Sequence, residues 1–134
     1  MTKKKFTLIG FACDEGVSRN YGRPGAALGP AAIRQALELL PSYKTMKQLP
    51  DIVCMNHHLD VSQEKLAVQV QGLFQNGITP IVIGGGHEMA YGHGLGVYKN
   101  FPDKKIGIIN FDAHFDLRPL KEGKGTSGTP FLLV

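Results

Sequence analysis

The chain has 134 residues, a hydrophobic fraction of 43% and a formal net charge of +4. That length supports one domain with a modest core, and the composition is too apolar for a disordered chain. No apolar run approaches the roughly 18 residues of a membrane-spanning helix. Nor does a basic stripe with interleaved aromatic residues follow the Lys3–Lys5 cluster, so neither a membrane nor a nucleic acid is expected as a partner.

The amino-terminal stretch MTKKKFTLIGFACDEG has the basic patch and apolar run of a signal peptide in outline. Its apolar part, Phe6 to Ala12, includes Thr7 and Gly10 and runs directly into Asp14 and Glu15 with no cleavage site. Residues 6–11 therefore read as a first strand, and the chain is expected in the cytoplasm. A loop carrying Asn20, Tyr21, Gly22, Arg23, Pro24 and Gly25 follows. Pro30 suits the first turn of a helix running to about Leu40, with Ile33, Leu37 and Leu40 on one face and Pro41 as the stop.

Residues 52–55 read as a short buried strand. Ser62 suits the cap of a helix over about 63–76, in which Leu66, Val70, Leu73 and Phe74 fall at helical spacing and Gly77 closes the end. ITPIVIGGG then gives a buried strand over 78–83, followed by a helix over about 88–99. KIGIIN at 105–110 reads as another nearly continuous apolar strand. Such strands separated by helices imply an α/β fold with a parallel sheet covered on both faces. Cys13 and Cys54 are far apart in sequence, form no metal or redox motif, and read as small apolar residues kept reduced.

In open parallel sheets ligands sit beyond the carboxyl ends of strands. Two segments there carry chemistry: GGGHE at 84–88 and NFDAHFD at 110–116. If the second is extended, Asp112, His114 and Asp116 leave one face, while Ala113 and Phe115 point to the core. Two carboxylates crowded at one site repel unless a proton or cation intervenes. His87 ends the preceding strand, so the four side chains can converge on a metal cluster. Imidazole with carboxylate donors suits Mn2+ or Zn2+, and an oxygen-rich set favours Mn2+. A bridging carboxylate can hold two ions about 3.5–4 Å apart, a pair able to activate one water.

Competing motifs fail on spacing. His93 lies six residues after His87, so the segment is not H-E-x-x-H; no Gly-Lys-Ser/Thr follows the glycines, and the G-x-G-x-x-G pattern is broken at Met89. His57 and His58 follow a short strand with no partner pattern and read as surface or capping residues.

GGGHE at 84–88, DAHFD at 112–116 and GRPGAALGPAAIR at 22–34 resemble the metal motifs and the amino-terminal segment of the ureohydrolase family of arginases, agmatinases and formimidoylglutamases. The resemblance covers nearly the whole chain. It implies an arginase-like three-layer α/β fold with a central parallel sheet and two Mn2+ ions, held here by His87, Asp112, His114 and Asp116. It further implies a small-molecule substrate and, for full-length members, a homo-oligomer.

After DAHFD come Leu117 and Arg118. By alignment Arg118 stands where arginases hold an Asn near the substrate's amino-acid end, and a guanidinium there suits bidentate capture of a carboxylate. Agmatine, doubly cationic and without a carboxylate, would be repelled. The resemblance therefore points to the formimidoylglutamase branch. It implies hydrolysis of N-formimino-L-glutamate to L-glutamate and formamide, a step of histidine degradation, with Ser127 and Thr129 as further substrate contacts. The alternatives are an agmatinase- or arginase-type amidinohydrolase, or an inactive truncated fragment.

The pattern departs from the family at two places. Agmatinases carry His-Gly-Thr where this chain has Ser127-Gly128-Thr129, so an imidazole proton shuttle is missing there. Family members run to about twice this length. Their last two ligands come from an Asp-x-Asp motif in the second half, and no Asp follows Asp116 here. Residues 1–134 thus read as a partial, amino-terminal ureohydrolase domain.

Overall fold

A computed structural model describes residues 4–134, without the side chains of Ser42 and Lys44; Lys3 of the basic cluster lies outside the described residues. The sheet is organised around β1 (Lys5–Ala12), to which β2 (Lys47–Gln48), β3 (Ile52–Val53) and β4 (Ile78–Gly84) all pair in parallel. Thr7, Leu8, Ile9 and Phe11 of β1 are all buried, which explains the nearly continuous apolar run: both faces of this strand are covered. The pairing with β4 is the longest, from Lys5 opposite Ile78 to Phe11 opposite Gly84.

The long helix α3 (Leu59–Gln75) connects β3 to β4 and buries Leu59, Leu66, Ala67, Val70 and Leu73. These pack with Ile9, Phe11, Cys13 and Ile52 into one core. Helix α4 (Met89–Asn100) crosses α3 closely because it has glycines at the contact. A Cβ at Gly92 would meet the Gln63 carbonyl oxygen at 2.6 Å, and one at Gly96 would meet that of Ala67 at 2.6 Å. The remaining helices are short: α1 (Glu15–Arg19), α2 (Gly29–Leu37) and α5 (Pro130–Leu133). Among the described residues no helix is long and apolar enough to cross a membrane.

Several sequence expectations are revised. Helix α2 ends at Leu37 rather than Leu40, because Pro41 forces the residue before it into an extended conformation. The expected apolar face of α2 is substantially exposed at Ile33 and Leu40. The helix is fastened instead by buried Pro30 and by Arg34, whose guanidinium pairs with Asp51 and also reaches Gln48. Ser62 is not a cap. Leu59, fully buried, anchors a first turn that starts earlier, and Ser62 Oγ donates back to the His58 carbonyl at 3.2 Å.

The largest revision concerns residues 105–110, which form no strand. A strand apolar on both faces needs both faces covered, and no described element lies over the outer side of this segment. Ile109 and Phe111 are left largely in solvent.

Cys13 and Cys54, distant in sequence, become neighbours because Ala12 pairs with Val53 and the Cys54 N–H donates to the Ala12 carbonyl at 3.3 Å. Both are free thiols. Burial, with a smaller contribution from the adjacent Cys54, pushes the Cys13 thiol well above its ordinary value.

Leu66, fully buried in α3, provides a test of where stability resides. Leu66→Ala is expected to lower unfolding free energy by about 2–5 kcal/mol in urea titrations. Exposed Val68→Ala on the opposite face should stay within about 0.5 kcal/mol.

Candidate metal centre

Beyond Gly84 the backbone continues along the end of β1. The Gly85 N–H donates to the Phe11 carbonyl at 3.0 Å and the Gly86 N–H to the Cys13 carbonyl at 2.7 Å. A Cβ at Gly85 would lie 2.2 Å from the Cys13 oxygen, so only glycine permits this approach. The loop delivers His87 to the carboxyl end of the sheet. Its ring is set edge-on against Phe131 of α5, with centroids 5.6 Å apart at 79°.

Asp112 and Asp116 come to His87 from the 110–116 segment. His87 Nδ1 lies 3.0 Å from Asp116 Oδ2 and 3.7 Å from Asp112 Oδ2. One donor atom from each of these residues lies within 4.8 Å of the others. The Asp116 side chain is only 10% exposed, and its Oδ2 is buried without a hydrogen bond of good geometry. A buried carboxylate oxygen facing an imidazole and a second carboxylate is the donor set a divalent cation would complete.

The route by which these side chains meet differs from the extended strand expected. The Asp112 carboxylate accepts the His114 N–H at 2.8 Å, closing a turn, and Asp116 has a left-handed φ of 51°. The side-chain alternation is therefore lost, and Phe115 is 87% exposed instead of entering the core. His114 stays outside the three-residue group. Its side chain is 70% exposed, with Nδ1 at 3.3 Å from Asp112 Oδ1. The His114 N–H is the largest influence holding the Asp112 carboxyl below its ordinary range.

The expected substrate residues fare unequally. Arg118 is exposed, its N–H donates to the Gly128 carbonyl at 3.0 Å, and its guanidinium makes no ion pair among the described residues. Ser127 donates its N–H to the Gly16 carbonyl at 3.0 Å. Thr129 is turned inward: it is 1% exposed, and its hydroxyl accepts the Thr126 N–H at 2.9 Å and donates to the Thr126 carbonyl at 3.1 Å. That hydroxyl closes a turn and has no free face toward a substrate.

Three residues had no role assigned from sequence. Asp14, two residues beyond the end of β1, accepts the N–H groups of Gly25 and Ala27, ordering the glycine-rich loop. Glu88 is wholly buried, which raises its carboxyl above the ordinary range. Glu15 pairs with Arg19 at 2.9 Å and with His57 at 2.6 Å, so His57 does have a partner, one that strand-end topology brings to it.

A family model described as the arginase family matches residues 4–133. The chain belongs to the arginase family. It is 52% identical over 129 residues to a formimidoylglutamase of Chromobacterium violaceum, covering 95% of this chain and 41% of that protein. A second formimidoylglutamase, from Geobacillus thermodenitrificans, is 52% identical over 128 residues, covering 92% of this chain and 39% of that protein. A Trypanosoma cruzi formiminoglutamase crystallised with Mn2+ superposes with a TM-score of 0.84 at 37% identity, over 97% of this chain and 47% of that one. Bacillus subtilis arginase superposes at 0.78 with 32% identity, over 97% of this chain and 45% of that one. The fold is thus arginase-like, and the chain spans about two-fifths of the length of these curated relatives.

The Glu15 cluster gives a pH prediction. Burial favours the neutral Glu15 carboxyl, but hydrogen bonds from His57 and Arg19 outweigh it and leave the group below its ordinary value. A folded-state value depressed in this way stabilises the fold above the ordinary carboxylate range, and that stability is lost as pH falls through the folded value. Glu15→Gln is therefore expected to flatten the acid limb of a stability–pH profile below about pH 5. An unchanged acid limb would show that the cluster contributes nothing.

Proposed function

We propose that this chain carries part of a dimanganese centre, together with a carboxylate-recognition residue, for hydrolysis of N-formimino-L-glutamate to L-glutamate and formamide. The observation that carries this reading is the meeting of His87, Asp112 and Asp116 at the carboxyl end of the sheet. The formimidoylglutamase relatives and the Mn2+-bearing neighbour support the choice of reaction and ion.

The donor set fits: two carboxylates and an imidazole suit Mn2+, and His114, two residues from each aspartate, stands ready as a fourth donor. Octahedral ions in a pair need more ligands than these, so the reading assigns this chain a share of the centre rather than all of it. Bound there, the ions would make a water more acidic and would stabilise the negative charge that builds on the heteroatoms as the amidine carbon becomes tetrahedral.

The chain's own residues do the rest. His87 must be neutral to donate its Nδ1 lone pair, and Phe131 holds the ring in place to do so. Asp112, kept below its ordinary range by the His114 N–H, stays an anion ready to ligate. Arg118, exposed two residues beyond Asp116 and without an ion pair among the described residues, offers its guanidinium to a substrate carboxylate. Ser127 offers a hydroxyl from a turn anchored on Gly16. Because Thr129 is consumed by its turn, substrate recognition in this reading rests on Arg118 and Ser127.

Calorimetry on the Mn2+-loaded chain separates this reading from an agmatinase type without requiring turnover. N-formimino-L-glutamate should bind in a Mn2+-dependent manner, and Arg118→Asn should weaken it about tenfold, the scale of one charge-assisted hydrogen-bonded pair. Agmatine should not bind. Equal binding of agmatine, or indifference to Arg118→Asn, would reject the acidic-substrate assignment.

A further inference from the structure

Resting on the reading of His87 as a metal ligand, we propose that the adjacent Glu88 is a positioning residue that ties the His87 loop to the β1–α1 connection and, through Gly16, to the Ser127 turn. Glu88 is 0% exposed. Its Oε1 accepts the Gly16 N–H at 2.8 Å, and its main-chain carbonyl accepts Gln63 Nε2 of α3 at 2.7 Å. Gly16 in turn accepts the Ser127 N–H on its own carbonyl at 3.0 Å. Glu88 thus ties the metal loop to the strand-end loop through its carboxyl and to a core helix through its main-chain carbonyl, and Gly16 carries the link on to the Ser127 turn.

The fit around that side chain is close on two sides. A Cβ at Gly16 would lie 2.6 Å from the Glu88 carboxyl carbon, and one at Gly86 would lie 1.9 Å from Oε2. Both glycines leave room for the carboxyl, and the peptide N–H of Gly16 needs an acceptor there. A purely space-filling role would be met by leucine or methionine, without the cost of burying a carboxyl whose Oε2 has no hydrogen bond of good geometry among the described residues. What an apolar side chain cannot do is satisfy the Gly16 N–H. The geometry makes Glu88 an acceptor first and a filler second.

Glutamine separates the two roles, because its side-chain carbonyl accepts the same N–H. Amide hydrogen exchange on the 134-residue chain compares wild type, Glu88→Gln and Glu88→Ala. Exchange at Gly16 and Ser127 should rise about tenfold or more in Glu88→Ala and stay within about threefold of wild type in Glu88→Gln. Mn2+ binding, followed by loss of the free-ion EPR signal, should weaken about tenfold in Glu88→Ala alone. Should Glu88→Ala fail to fold, Gly16→Ala displaces the carboxyl instead; faster Ser127 exchange with weaker Mn2+ binding supports the proposal, and neither change overturns it. Unaltered exchange in Glu88→Ala, or equal damage from Glu88→Gln, also overturns it. His87→Ala separates the two readings: Mn2+ binding that survives this substitution rejects the metal centre, and the exchange data then decide the role of Glu88 alone.

Discussion

The parallel pairing of β4 with β1 fixes the frame in which everything at the site is placed. The ladder does not stop where the strand does. Gly85 and Gly86 continue it onto the carbonyls of Phe11 and Cys13, both of which are core residues. Leaving such buried main-chain groups unpaired costs about 1–3 kcal/mol each. The direction in which the chain leaves the sheet is therefore as firmly held as the core itself. His87 inherits that rigidity, and a side chain at position 85 would destroy it by steric conflict with the strand it pairs to.

A second constraint is charge. His87 Nδ1 faces two carboxylates, and one carboxylate oxygen of Asp116 is buried. A proton on the imidazole and a divalent cation are alternative answers to the same local excess of negative charge, and they exclude each other, because the ligand form of histidine is the neutral ring. The His114 N–H, by stabilising the Asp112 anion, keeps the negative charge in place as pH falls.

Much of this was legible in the sequence, for identifiable reasons. The run from Thr7 to Phe11 is buried on both faces, so its apolar continuity reported a covered strand faithfully. Leu66, Val70 and Leu73 kept helical spacing because α3 presents a single buried stripe. His87, Asp112 and Asp116 come together at the sheet end, but not through the extended strand that was expected. An Asx-type turn at Asp112 and a left-handed Asp116 bring the same residues together by another route and leave His114 outside. The strand at 105–110 failed because periodicity reports a segment's appetite for burial and carries no information about whether a partner edge and two covering layers are available. Glu88 and the Glu15–His57 pair escaped because their partners lie 72 and 42 residues away in sequence, a separation that no local pattern encodes.

The residues of the candidate centre are also held with unequal stiffness. His87 is fastened by core main-chain bonds. Asp116 is fastened through its carbonyl, which accepts the Phe131 N–H at 3.3 Å, while the Phe131 ring packs on His87. The short helix α5 therefore orients both residues at once, and their donor atoms already stand 3.0 Å apart. Asp112 and His114 lie on a more exposed turn preceded by an unpaired apolar segment. Moving those two side chains disturbs no core packing, whereas moving His87 or Asp116 would. At this rim His87 and Asp116 thus form the fixed pair, and the placing of Asp112 and His114 is set by how the 112–114 turn closes.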